Sequence, residues 1–70
     1  MSNLKRLREE KHYSQGQLAY ISKVSLRSIK AYEQRYRNIN KASGETLKRL
    51  AIALDCDIEE ILEESSRREN

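Results

Sequence analysis

Between Ser14 and Gln34 the chain reads SQGQLAYISKVSLRSIKAYEQ, two short helical patterns separated only by Lys23 and Val24. Ser14 is a good N-cap, and Gln17 completes a Ser-x-x-Gln capping box that fixes where the first pattern starts. Leu18, Ala19 and Ile21 supply the inner face of that helix, which should end near Ser22. Ser25 caps the next one. Ile29, Tyr32 and Glu33 share one face there at i, i+3 and i+4, leaving Leu26, Arg27, Lys30 and Ala31 to point elsewhere. The second helix thus has an apolar back and a polar, cationic front.

The same spacing recurs on both sides. A helix beginning after Ser2 or Asn3 and running to about Lys11 carries Leu4, Leu7 and Lys11 on one stripe, with Arg8 beside it. His12 and Tyr13 form the link to Ser14. The clearest stripe is Leu47, Leu50, Ala51 and Leu54, on a helix starting at Ser43 or Gly44, with Asn40 available to cap an extra turn. Asp57 and Glu60 form a second capping box and open a fifth helix with Ile58, Ile61 and Leu62 inward. There is no proline, no hairpin-type glycine pair and no sustained period-2 alternation, so the expected class is all-α: a compact bundle of five helices. From Glu63 onward the chain is polar and should fray; the expected domain is 1–64, with 65–70 a polar tail.

Seventy residues make one domain with a small core, too small for an ordinary recessed substrate pocket as well. A charged fraction of 36% and a mean hydropathy of −0.91 describe a surface-rich domain. The formal net charge of +3 conceals an asymmetry, +7 over residues 1–41 and −4 over residues 42–70. A domain of that kind can orient itself in the field of a polyanion. The single cysteine, Cys56, cannot form an intrachain disulfide or a zinc site and reads as a small buried hydrophobe. His12 stands alone, without metal-ligand spacing, and the acidic run near the fifth helix has the spacing of a solvated face. Neither enzyme activity nor a cofactor, metal or small-molecule ligand is expected. No apolar run approaches a membrane span and no signal peptide is visible, so the expected location is cytoplasmic, with the nucleoid.

Two short helices with a tight turn, the second cationic in front, are how a protein presents a helix to the major groove. The chain resembles the Cro and phage-repressor type (Xre-like) helix-turn-helix family. The resemblance is carried by LKRLREEK from Leu4, Ser14-Gln15, Leu18-Ala19, Val24-Ser25, Ile29 and Tyr32-Glu33. It continues through Glu45-Thr46-Leu47 and the run from Leu50 to Leu54, and closes with the run from Asp57 to Leu62. It implies a lambda-repressor-like five-helix DNA-binding domain whose helix-turn-helix is formed by the second and third helices. Three features depart from the family: Lys23 and Arg35 stand where glycine is common, and the segment Asn38 to Gly44 is longer than the family's shortest link and lacks its proline. Arg8 and Glu33 lie on stripes that otherwise point inward. A lone buried charge is very unfavourable, and the family commonly pairs these positions, so an Arg8–Glu33 ion pair is expected.

On this reading Leu26, Arg27, Ser28, Lys30 and Ala31 approach base edges, with Arg27 best suited to guanine and Leu26 and Ala31 to thymine methyls. Gln15, at the start of the second helix, is the resemblance's phosphate-contacting glutamine. Gln34, Arg35, Tyr36, Arg37 and Lys41 are the further phosphate candidates. The expected partner is double-stranded DNA, a palindromic operator bound by a homodimer through apolar residues near the fifth helix or through Ile39. Repression is what the resemblance implies. A rival reading is a helix-turn-helix scaffold for protein–protein contact, of antitoxin or anti-repressor type, using Glu59, Glu60, Glu63 and Glu64.

Overall fold

The computed structural model describes residues 2–63, all helical or irregular, without a strand among them. Five α-helices follow one another: α1 (Asn3–Glu10), α2 (Gln15–Ser22), α3 (Leu26–Glu33), α4 (Gly44–Leu54) and α5 (Ile58–Ile61), with a 3₁₀ turn at Ile39–Lys41 before α4. The tail 65–70 lies outside the described residues.

Each start is written in the sequence. The hydroxyls of Ser2, Ser14, Ser25 and Ser43 accept the N–H groups of Lys5, Gln17, Ser28 and Thr46 at 3.0–3.1 Å. Gln17 returns the favour by accepting the Ser14 N–H at 2.7 Å, and Glu60 accepts that of Asp57 at 3.0 Å. Each bond satisfies one of the N–H groups that a helix start leaves unpaired. Asn40 is not a cap for α4: Asn38 caps the 3₁₀ turn and Asn40 sits inside it.

The helix ends differ. His12, Lys23, Arg35 and Asp55 all have φ between 54° and 66°, the left-handed region, and none is glycine. After three of them the next N–H turns back on a carbonyl five residues earlier: Tyr13 to Arg8, Tyr36 to Ala31 and Cys56 to Ala51. That wrapping satisfies the last carbonyls and stops the helix.

α2 packs on α3 and α4, α4 on α5, and α1 on both α3 and α5. Every helix sends a side chain to the centre. Leu4, Leu18, Ile29, Leu50, Leu54 and Ile61 are essentially inaccessible, each worth roughly 1.5–3 kcal/mol of apolar burial. Leu47 and Ala51 complete the α4 stripe, while Ile58, Leu62 and Cys56 pack half-buried against the centre. Three sequence assignments need correction. Ile21 is 45% exposed because the inner stripe of α2 runs through Leu18 and Ser22, and Ile21 lies about 100° around the helix from Ser22. Lys11 is exposed, since α1 stops at Glu10 and the chain turns away. Ile39 is buried at 4%, because the 3₁₀ turn folds it into the core.

Arg8 and Glu33 meet inside as a two-pronged pair. Arg8 Nε donates to Glu33 Oε2 at 2.7 Å and Nη2 to Oε1 at 3.0 Å. The remaining Arg8 nitrogen donates to the Tyr13 carbonyl at 2.7 Å, and Gln15 Nε2 donates to Glu33 Oε1 at 3.0 Å. The hydrogen bond to Glu33, more than any other influence, raises the Arg8 pKa. One carboxylate therefore joins α1, α2 and α3.

Glu63 is not part of a fraying end. Its carboxylate accepts the Asn3 N–H at 2.7 Å, and its main-chain N–H and carbonyl both engage the Asn40 side-chain amide at 2.8 Å. α5 itself ends at Ile61, so Glu63 is not on that helix, and Glu64 falls outside the described residues.

Candidate nucleic-acid interface

The joint between α2 and α3 is short because Lys23 takes the left-handed conformation. Its N–H donates to Ala19 while Ser22 Oγ, buried, accepts the Val24 N–H at 3.1 Å. Val24 is buried behind the joint, so the angle between the two helices is fixed by packing as well as by backbone. Arg49 of α4 reaches the Lys23 carbonyl at 3.4 Å from outside.

This joint sets the rotation of α3. Ile29, Tyr32 and Glu33 are all under 9% exposed, and Arg27 and Ala31 lie on the opposite side at 100° per residue. Arg27 and Lys30 are exposed, Leu26 is 40% exposed, and Ala31 is half-buried, its carbonyl accepting the N–H groups of Tyr36 and Arg37. A capped two-helix unit, left-handed at its turn, with the second helix anchored on one side and cationic on the other, is a DNA-reading architecture. The helix-turn-helix family model matches residues 4–61. The chain belongs to the Cro and phage-repressor type helix-turn-helix family. No curated protein and no solved structure shows a significant match to it.

The family is a DNA-binding regulatory one, typically without enzymatic activity, and DNA is the partner it implies. Among the described residues of this helix-turn-helix domain, no group of His, Cys, Asp and Glu could hold a metal ion. No helix among them is long and apolar enough to cross a membrane.

Around α3 the structure gathers some of the sequence candidates and occupies others. Gln34 caps the C-terminus of α3 and is exposed; Tyr36, 81% exposed, projects from the loop; Lys41 is exposed on the 3₁₀ turn. Arg37 folds back: its guanidinium lies 4.8 Å from the centre of the Tyr32 ring, and Nη1 donates to Ser28 Oγ at 2.9 Å. Ser28 Oγ also bonds the Ser25 hydroxyl at 3.0 Å, so it is engaged on two sides. The Gln15 amide spends one N–H on Glu33, which holds it at the start of α2. Arg35 Nη2 lies 3.5 Å from Glu63 Oε1. Arg35, Arg37 and Asn38 line a small cleft of about 160 Å3 backed by Tyr32 and Ile39, with Glu63 on its wall.

Sequence reasoning did not foresee Glu63 or Asn40 here. The only signal was compositional, an asparagine and a glutamate in polar surroundings, and their partners stand at least 23 positions away.

Proposed function

We propose that this domain is a sequence-specific transcription regulator that inserts α3 into the major groove and represses by occupying its site. The carrying observation is the division of α3: three buried residues on one side and an exposed Arg27 on the other. Arg27 reads guanine through two parallel hydrogen bonds, while Leu26 and Ala31 meet thymine methyl groups. Lys30 flanks them. Ser28, tied to Arg37, contributes more through position than through its own hydroxyl.

Phosphate contacts on one strand come from the start of α2, where Gln15 offers its main-chain N–H and the second hydrogen of its amide. On the other strand they come from Gln34, Arg35, Tyr36, Arg37 and Lys41. A single copy of this surface is small. Two copies on a palindromic operator, with half-sites about 34–36 Å apart, match the known use of the motif. Since Ile39 is internal, the apolar contact between copies falls to Ile52, 70% exposed on α4 beside α5.

Selection of bound duplexes from a random library tests the reading. The expected product is a palindrome whose half-site loses its preference at one position in Arg27→Ala. An Arg27→Ala variant with full preference would remove Arg27 from the assigned role, and a protein that retains no duplex even at low salt would remove DNA altogether.

A further inference from the structure

We infer that Glu63 is a built-in competitor for phosphate at the edge of the DNA-facing surface, lowering affinity for duplex of any sequence by holding Arg35. The inference rests on the DNA-binding reading above. Glu63 Oε1 lies 3.5 Å from Arg35 Nη2, and the glutamate side chain is only 18% exposed. Its carboxylate is tethered: Oε2 accepts the Asn3 N–H at 2.7 Å. The main chain on both sides of the same residue is pinned by Asn40 at 2.8 Å. A carboxylate has thus been fixed on the wall of the cleft that Arg35, Arg37 and Asn38 line just after α3.

Backbone phosphates carry the same charge as this carboxylate. A phosphate that approaches Arg35 must take it from Glu63 and then remain beside a tethered anion. The cost is independent of base sequence, because both competitors are seen only as negative charge. The device therefore weakens random and specific binding in parallel, and Arg35 delivers less than one full phosphate contact. Glu63→Gln is a suitable probe: the amide keeps an oxygen for the Asn3 N–H and leaves the main-chain Asn40 bonds in place, while removing the charge and the acceptor that face Arg35.

Binding of the wild-type chain, Glu63→Gln, Arg35→Gln and the double variant to a random-sequence duplex across a salt series tests this, with thermal unfolding as a check on folding. Glu63→Gln should bind several-fold tighter at low salt, with a salt slope steeper by up to about 0.9, the value of one more neutralised phosphate. Arg35→Gln alone should change the slope by clearly less than about 0.9, and Glu63→Gln should tighten binding less in the Arg35→Gln background than in the wild-type chain. Unchanged or weaker binding by a folded Glu63→Gln, with wild-type binding intact, overturns the inference alone. If that variant does not fold, a full loss of about 0.9 in the slope of Arg35→Gln overturns it instead. No retention of duplex by any of the four overturns both this inference and the DNA-binding reading.

Discussion

The inner and outer sides of α3 are built from the same eight residues under opposite demands. The inner side carries Ile29 at 0% exposure, Tyr32 at 4% and a carboxylate at 8%, each satisfied by a neighbour within the fold. The outer side carries Arg27, Lys30 and a partly exposed Leu26, and little in the fold depends on them. An ion pair is what allows the inner side to contain a charge at all. With Arg8 present, Glu33 is a joint between three helices; without it, Glu33 is a buried anion with too few partners. The lesson is that stability and recognition occupy different faces of one helix, so each can be altered with little disturbance of the other.

Cutting into the inner side should have the largest effect. Arg8→Ala should lower stability by roughly 3–5 kcal/mol, and Ile29→Ala by about 2–5 kcal/mol, both read by denaturant unfolding. A loss under about 1 kcal/mol for Arg8→Ala would mean the pair is dispensable and the contrast between faces shallower. Arg27→Ala probes the other side. Stability should stay within about 0.5 kcal/mol, while discrimination at one base position drops by roughly 1–3 kcal/mol in competition binding. A marked loss of stability would show Arg27 serving both faces.

Smaller effects sharpen the boundary between α2 and α3. Lys23→Gly should raise stability by about 1 kcal/mol or less, because glycine enters the left-handed region without the Cβ clash and gives back part of that gain in chain entropy. Destabilisation would show that the lysine side chain holds the turn. The smallest effect concerns Cys56, remote from both faces. Burial, aided by the carboxylates of Glu60, Asp57 and Asp55 and opposed by Lys11, pushes its thiol pKa up. The folded protein should therefore be alkylated more slowly near pH 8 than the urea-unfolded chain, since less thiolate is present. Equal rates would place the thiol in open solvent.

Helix starts were legible in the sequence and helix ends were not, for a physical reason. A start is specified by a side chain that does the bonding, so Ser14 with Gln17, Ser25 and Ser43 announce themselves. An end is specified by a backbone conformation that glycine usually signals. Here His12, Lys23, Arg35 and Asp55 adopt it with Cβ atoms present. Lys23 and Arg35 were visible only by comparison with a family that has glycine there. His12 and Asp55 gave no such sign. Long stripes were readable for the same reason starts were: Leu47, Leu50, Ala51 and Leu54 repeat over two turns. Ile39, in a three-residue turn, has no period to read, and its burial depends on what lies beneath it.

The site divides similarly. The direction of Arg27 follows from the spacing of Ile29 and Tyr32, whereas the bond from Arg37 to Ser28 depends on how the loop folds back. The Asn3–Glu63 contact joins positions 60 apart, beyond any local pattern.

That contact, with the Asn3 side-chain amide donating to the Leu62 carbonyl at 2.7 Å, also brings the two extremities of the described chain to one corner. A domain so arranged can be spliced into a surface loop of a host protein through two adjacent junctions, or have its ends fused and be reopened elsewhere as a circular permutant. Whatever is tethered at either extremity begins beside the same corner and explores the same sector of space.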